Sequence, residues 1–471
     1  MNKNVLALYD FASKQEFIYR TSKIKEISGA STLLSEIYAK FPLILNPQVA
    51  LNYDLTVPFS VDLFDAGAAD GEVLYDGGGN LLVLWKSCEV YLKANQIISA
   101  YLLKNVPGLT MIACSVPYTG LFDDETDTEG NIRKKGDRTL LYERNMLRKN
   151  RYPAFDMPSV TPFTQIDPIT FLPVVYKRNK NAPGSVYPAF DCSLSADRYA
   201  KAAKYKPEND LEDANEGLLA VIYIDGNAMG AKLIACRSQD YNEGVAKLRD
   251  FSKQVNDYYV EYPIQRIREA KFPFRKVIGG GDEITLICRG EDAFRIMQLY
   301  FSVLAEHRIV LSDYSSIECT SCAGIAIFHA KSPFDIAYGL AEAACESAKK
   351  KAHINGGNYF SFYYAHGGVT DTFERLHLKE QAHVSGKHYG LSDIGEMKAY
   401  AVKLFSTGRS NVKALGDAAQ RGHVFYEYET RRVNAYLGDL SAFNGTEEEM
   451  RLVYDMSEFY DLWFEREGKR R

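Results

Sequence analysis

Apolar positions along this chain form a pattern that occurs twice. Residues 5–10 (Val-Leu-Ala-Leu-Tyr-Asp) are a short apolar strand ending in an acid. Between 24 and 41, Ile24, Ile27, Leu33, Leu34, Ile37 and Tyr38 recur at helical spacing, with the small run Ser28-Gly29-Ala30-Ser31 between them. Residues 42–70 show no sustained period and read as an irregular insertion. Strand-like runs at 72–76 and 80–85 flank Gly77-Gly78-Gly79, which makes a hairpin with a glycine corner. A helix follows over 88–106, with Tyr91, Ala94, Ile98, Tyr101 and Leu102 on one face, and then a strand over 109–116. The predicted order is β-α-β-β-α-β, the split βαβ or ferredoxin-like arrangement.

The same order returns after residue 216. A strand over 218–224 ends at Asp225, and a helical stripe holds Leu248, Phe251, Val255 and Tyr258 within 245–267. A hairpin follows at 276–289 (K-V-I-G-G-G-D-E-I-T-L-I-C-R), then a helix over 292–304 and a strand over 317–328. Beyond it, 337–352 reads as a helix ending in Lys349-Lys350-Lys351, and 359–364 as an edge strand. The fold class is therefore α+β, with two ferredoxin-like domains at 1–116 and 216–365. An insertion or linker occupies 117–215, and a helical C-terminal domain 366–471. The two hairpins align as Gly77-Gly78-Gly79-Asn80 against Gly279-Gly280-Gly281-Asp282. One acid tip and one neutral tip suggest a working site and a degenerate partner.

The intervening segment has no such pattern. Its acidic run at 123–127 reads as a solvated loop. Tyr-Pro-Ala-Phe-Asp occurs at 152–156 and again at 187–191, too short a unit for a solenoid. The net charge of −5 gives no global basic field of the kind that marks a nucleic-acid binder. No stretch reaches the roughly 20 apolar residues of a membrane span. The start resembles no signal peptide. Eight cysteines without a regular framework imply a reduced, cytoplasmic protein. Cys319-Thr-Ser-Cys322 falls in a predicted strand and reads as core packing.

The chemistry concentrates at the second hairpin. Gly280 and Gly281 permit positive φ and close approach to the backbone. Asp282 and Glu283 repel each other unless a cation lies near, and hard carboxylate oxygens suit Mg²⁺ or Mn²⁺ with a substrate phosphate completing the shell. A ferredoxin-like sheet pairs its first and third strands, which brings Asp225 beside this tip. Three carboxylates there are enough for two divalent cations on a nucleoside triphosphate. Gly226 and Gly230 around Asn227 would turn backbone N–H groups toward phosphates. Lys349 would neutralise phosphate charge from the following helix.

Y-I-D-G-N-A-M-G (223–230), G-G-D-E (280–283), H-A-K-S-P (329–333) and A-E-A-A-C-E-S-A-K (341–349) resemble the palm domains of nucleotide cyclases and polymerases. They most resemble the large polymerase-cyclase subunit of type III CRISPR complexes. F-A-S-K-Q-E-F-I-Y-R (11–20) and K-I-K-E-I-S-G-A-S-T-L-L (23–34) resemble its first palm. The resemblance implies two palms face to face, ATP joined into cyclic oligoadenylates, a role in antiviral defence, and partner protein subunits and RNA. Asp225 and Asp282 would be metal ligands and Lys349 the triphosphate lysine. Glu283 stands where that subunit usually has Asp, a spelling closer to diguanylate cyclases, and Asn227 stands where a second Asp is common. The family's HD nuclease is expected to be absent. Its zinc module is also expected to be missing, because 117–215 offers only Cys192 and no His. Three readings stay open: an ATP-using nucleotidyltransferase, a non-catalytic nucleotide-binding scaffold, and a cyclase using GTP. The base, the linkage, the ring size and the oligomeric state are not encoded in any motif.

Overall fold

Two mixed sheets, antiparallel except where β2 joins β3 and β13 joins β14, carry the two repeats. The computed structural model describes residues 4–19, 24–106, 109–127, 131–151, 218–329, 332–364, 388–458 and 460. The repeated pentapeptide and Cys192 lie outside the described residues. The first sheet holds β1 (Val5–Ala12), β2 (Leu51–Asn52), β3 (Gly71–Gly77), β4 (Asn80–Trp85) and β5 (Thr110–Pro117), in the order β2-β3-β4-β1-β5. β6 (Glu125–Thr126) and β7 (Ile132–Lys134) form a small hairpin beyond it. The second unit begins with β8 (Leu218–Gly226), β9 (Phe274–Gly280) and β10 (Glu283–Arg289). It continues through the side hairpin β11 (Arg308–Val310) and β12 (Ser316–Glu318), then β13 (Ser321–His329), β14 (Tyr359–Tyr364) and β15 (Tyr389–Gly390). Its main sheet runs β15-β14-β13-β8-β10-β9. In both sheets the first strand lies between the third and fourth, the ferredoxin-like order, and the mixed α+β class follows. Each central strand is an unbroken apolar run because helices or the other unit cover both of its faces.

The helix Phe334–Asn355 is laid on β13 through small residues. Ala337, Ala341, Ala344 and Ala348 are buried along it. Opposite them, a Cβ added at Gly324 would lie 1.8 Å from the Ala341 carbonyl oxygen and 2.4 Å from the Cys345 nitrogen. Helix backbone and strand backbone therefore touch, and this contact fixes where the last turns of the helix, with Lys349, emerge over the sheet end. Cys319 and Cys322 are both buried and unbonded to each other, as core packing requires.

Several sequence expectations change. Residues 42–70 are not irregular throughout. They hold the helices Phe41–Leu45 and Val61–Ala66 and the edge strand β2, with Phe59 and Phe64 buried. These elements are too short to show a period. The acidic run at 123–127 is not a solvated loop at its start. Asp123 is buried, pairs with Arg138 at 2.6 Å and accepts from the Ser238 N–H at 2.9 Å. Asp124 accepts from the Gly136 N–H at 2.8 Å. These acids satisfy backbone donors where the chain crosses between the units. The predicted helix 245–267 is Tyr241–Asn256 and Tyr262–Glu269 joined by a π-helical turn at Asp257–Glu261. Pro263, which has no N–H to donate, follows that turn.

The units are clamped together. Arg249 donates to the Leu74, Val73 and Val57 carbonyls at 2.8, 2.7 and 2.6 Å, and Ser252 to the Asp76 carbonyl at 3.3 Å. The helix Asp137–Arg151 packs on β5 and β1. The C-terminal helices Asp393–Ser406, Arg409–Arg421, His423–Leu437 and Glu447–Glu458 share a core with the second sheet. Met450, Val453, Tyr454 and Met456 are inside it. Among the described residues no helix is long and apolar enough to cross a membrane.

Candidate active site

Strand register assembles the acids. Ile224 pairs with Ile284 across β8 and β10, so the next residues outward, Asp225 and Glu283, stand side by side at the sheet end. Gly280 pairs with Glu283, leaving Gly281 and Asp282 as a two-residue turn with Gly281 at φ +65°. The Asp282 side chain folds back onto Gly226, where a Cβ would come within 2.8 Å of its Cβ and Oδ2. Gly226 is thus required for Asp282 to approach Asp225. A Cβ at Gly280 or Gly230 would meet nothing within 4 Å, so the space beside the tip is open.

Lys349 reaches across and pairs with Asp225 Oδ2, and with Glu346 Oε1 at 3.0 Å. Burial works against its charge, but the bonds to Asp225 and Glu346 outweigh it and hold the amine above its ordinary value. One lysine does not balance the acids. Burial, and then the charge of Asp225, push Asp282 up to about 6. Burial, then Asp225, Asp282 and Glu342, push Glu283 up to about 7. Glu342 is raised as well, by burial and then by Glu346 and Asp225, with the Gln15 hydrogen bond opposing. The cluster carries more negative charge than its own residues neutralise, which is the condition for taking up cations.

Of the residues singled out from the sequence, Asp225, Gly226, Gly280, Gly281, Asp282, Glu283 and Lys349 come together. Asn227 does not present its N–H. That group donates to the Thr320 carbonyl at 2.9 Å, while its side-chain amide donates to the Gly357 carbonyl at 2.9 Å. Its role here is to tie the loop after β8 to the loop after the Lys349 helix. Glu342 and Glu346 were not anticipated, although with Lys349 they fall at helical spacing on one face. Lys232 was also missed. It donates to Tyr259 Oη at 3.0 Å and to Thr320 Oγ1 at 3.3 Å, and no motif flags it.

The first tip corrects the hairpin alignment. Gly77 pairs with Asn80, so Gly78 and Gly79 form the turn, at φ +56° and +71°. The equivalent positions are Gly78 and Gly281, Gly79 and Asp282, Asn80 and Glu283, one residue away from the glycine-to-glycine match. Tyr9 pairs with Leu81 as Ile224 does with Ile284, which makes Asp10 the counterpart of Asp225. The first unit has lost two tip acids and kept the strand-end acid. A Cβ on Gly281 would lie 4.0 Å from the Gly78 Cα, so the two tips face each other.

The carboxylates Asp225, Asp282 and Glu283 fit a hard divalent cation chemically, by donor type and by their surplus charge. Among the described residues no three His, Cys, Asp or Glu already stand close enough to cage an ion. Substrate phosphate would have to supply part of the shell.

Residues 218–356 match the family described as Cas10/Cmr2, second palm domain. The second unit is a Cas10-like palm. No curated protein matches the chain by sequence. Among solved structures, the Csm1-Csm4 cassette in complex with one ATP is similar at a TM-score of 0.55 and 15% identity, covering 98% of this chain and 69% of that one. Csm1 in T.onnurineus is similar at 0.53 and 15%, with coverages of 98% and 69%. The Csm1-Csm4 cassette in complex with cA3 is similar at 0.51 and 14%, with coverages of 96% and 70%. At such identities the likeness is one of fold, and it extends over nearly the whole chain.

Proposed function

We propose that this chain is a palm-domain nucleotidyltransferase of the type III CRISPR kind that joins nucleoside triphosphates into cyclic or short linear oligonucleotides. The observation that carries this reading is the convergence of Asp225 with the Asp282-Glu283 tip under Lys349. ATP is the favoured substrate, because similar Csm1-Csm4 cassettes have been solved with ATP, pppApA, cA3 and cA4. A Csm4-like subunit is the proposed protein partner on the same grounds, and RNA is proposed from the family resemblance.

Asp225 and Asp282 would hold Mg²⁺ or Mn²⁺, with Glu283 as a third ligand or as proton acceptor. The metal's contribution is to neutralise phosphate charge and ease ionisation of the attacking hydroxyl. The 3′-oxygen of one nucleotide bonds to the α-phosphorus of another, the bond from that phosphorus to its bridging oxygen breaks, and pyrophosphate leaves. Glu283, raised to about 7 in the metal-free cluster by burial and its neighbouring acids, would accept the hydroxyl proton where it is not itself a metal ligand. Lys349 would exchange Asp225 for the triphosphate as the substrate enters, and the open side of Gly280 leaves room for it.

The test is to incubate the purified chain with all four triphosphates and Mg²⁺ or Mn²⁺ and read products by mass spectrometry. Labelled ATP and GTP given separately decide between the adenylate and guanylate readings. Product formation that survives Asp282→Asn would sink the catalytic assignment. The second reading is a scaffold that binds triphosphate without turning it over. What favours it is the occupation of Asp225 by Lys349 and the lack, among the described residues, of a preformed metal cage. Metal-dependent ATP binding without pyrophosphate release, with the nucleic-acid trigger present, would select it.

A further inference from the structure

The loop that follows Asp225 is tied at both ends to one residue. Asn227 donates its N–H to the Thr320 carbonyl at 2.9 Å. Five residues later, Lys232 donates to Thr320 Oγ1 at 3.3 Å. Between them Ala228 sits in the left-handed region at φ +53°, a conformation that a residue with a side chain keeps only where its surroundings hold it. Met229 follows. A Cβ on Gly226 would lie 2.8 Å from Met229 Cε and 2.8 Å from Asp282 Oδ2. The loop therefore packs against the place where Asp282 folds back toward Asp225.

Tyr259 closes the tie. Its hydroxyl accepts from Lys232 Nζ at 3.0 Å and from the Thr320 N–H at 3.1 Å, and it donates to the Thr320 carbonyl at 3.2 Å. Tyr259 is fully buried and stands in the π-helical turn Asp257–Glu261. Pro263 has no N–H to return to the Tyr259 carbonyl four residues back. The Tyr300 hydroxyl, from the helix Ala293–Ala305, donates to that carbonyl at 2.9 Å instead. Single π-turns occur often at functional sites, and this one aims a tyrosine at the residue that anchors the loop. Lys232 is the unusual member. Its ammonium is given to neutral hydroxyls, and the carboxylates whose charge it feels are Asp282 and Glu318. A half-buried ammonium without a carboxylate beside it is a costly way to fasten a loop, and an apolar side chain would fill the space without that cost.

We infer that Lys232 and Tyr259 are positioning residues of the acid site: through Thr320 they lock the loop 226–232, so that Asp225 and Asp282 meet a divalent cation in one fixed geometry. Neither side chain touches the substrate. Each acts through the Thr320 carbonyl on Asn227, and through the loop on Gly226 and Asp282. Lys349 and Lys232 thus divide the work of the second palm. Lys349 pairs with Asp225 from the helix above, and Lys232 holds the loop behind the tip. The inference rests on the metal and triphosphate site proposed above, and it adds to that site a frame that no metal-binding motif contains.

The experiment reads the loop and the site separately, on the full chain and its Lys232→Met and Tyr259→Phe variants. Hydrogen exchange followed by mass spectrometry reports on the peptide that covers 226–232. Equilibrium binding of ATP over a range of Mn²⁺ reports on the site. Tyr259→Phe keeps the buried ring and carries the test if Lys232→Met fails to fold. Both variants should exchange faster over 226–232 while peptides from the first sheet keep wild-type rates. The Mn²⁺ concentration for half-maximal ATP binding should rise roughly tenfold, the size expected of a lost hydrogen bond to a charged group. Folded variants with wild-type exchange over 226–232 overturn the inference. So does faster exchange with an unchanged Mn²⁺ midpoint, and so does faster exchange spread evenly over the chain, which is a purely structural loss. These three outcomes leave the metal and triphosphate site standing. A wild type that binds no ATP at any Mn²⁺ concentration overturns that site itself, and the inference with it.

Discussion

Two strand-end acids at equivalent positions of one fold have met opposite fates. Asp10 in the first palm is buried and surrounded. Lys14 pairs with it at 2.7 Å, Lys149 pairs with its other oxygen, and Asn145 donates to it at 3.1 Å. Burial alone would raise its carboxyl, but Lys14, Lys149 and Asn145 together hold it below the ordinary value. Lys14 also donates to the Gly79 carbonyl at 2.8 Å, and Tyr38 to the same carbonyl at 3.0 Å. The first tip is therefore stapled to its own acid. Among the described residues of the second palm, Asp225 pairs with one lysine and no ion pair forms on Asp282 or Glu283, although Lys232 lies near enough to feel the charge of Asp282. The first palm completes its charge balance within the chain. The second leaves a deficit for a ligand to fill. The same scaffold thus yields a strut or a site according to where its cations are covalently placed.

The sharpest way to break this comparison is at the acid tip. Asp282→Asn should reduce product by about a thousandfold or more, the scale of losing a group that acts on the developing charge, while circular dichroism stays unchanged. Lys349→Met should cost about a hundredfold in kcat/KM by the same reasoning, measured with ATP over a range of Mg²⁺. If Lys349→Met left kcat/KM intact, the lysine would be a resting counter-charge only. The corresponding changes in the first palm should act on stability instead. Asp10→Ala leaves two ammonium groups facing a buried gap, and should cost about 2 kcal/mol once the partial exposure of both lysines is discounted. Urea denaturation reads that loss. A first palm that tolerates Asp10→Ala while losing product would mean that Asp10 acts in chemistry and not in support.

Gly324→Ala tests how the second palm aims its lysine. The added methyl would overlap helix backbone that cannot rotate away, so the Phe334–Asn355 helix must lift from β13. Overpacking of this kind costs about 1–3 kcal/mol. Because Lys349 rides on that helix, nucleotide affinity should fall with stability. A variant as stable as the wild type would show that the helix seat is softer than the 1.8 Å overlap implies.

The parts visible in the sequence were those with a local signature. The two β-α-β-β-α-β patterns, the strand ending at Asp225 and the G-G-D-E tip could be read because apolar runs and glycine corners are written within a few residues of one another. The family resemblance rested on the same stretches. What could not be read was set by register and by distant contacts. Matching glycine to glycine gave the wrong offset between the tips, since only the pairings Gly77–Asn80 and Gly280–Glu283 show which residues form each turn. The first tip then seemed simply neutral, and Asp10, read only as the acid that ends a strand, was not matched with Asp225. Gln15 meets Glu342 across 327 residues, a proximity that no spacing rule encodes. The buried Asp123 looked like solvent-facing charge because its partners Arg138 and Ser238 lie elsewhere in the chain.

The smallest effect carries the comparison into a pH profile. Asp282 and Glu283 have folded values near 6 and 7, against about 4 in the unfolded chain. Between those limits the folded protein binds more protons than the unfolded one, so metal-free stability should fall as pH rises from about 4 to 7. Discounted for their partial exposure, the two groups together should account for on the order of 1 kcal/mol. Asp10 has the opposite sign. Its stabilisation is present above the ordinary aspartate value and is lost as pH falls through its depressed folded value. Urea midpoints measured from pH 3 to 8 should therefore trace a limb on each side. Asp282→Asn should flatten the limb above pH 4 and leave the acid limb in place, whereas Asp10→Asn should do the reverse. Saturating Mg²⁺ should offset the upper limb in the wild type and have little effect in Asp282→Asn, because binding favours the deprotonated acids. If Asp282→Asn kept the wild-type slope between pH 4 and 7, the charge deficit of the second palm would not be a property of its tip.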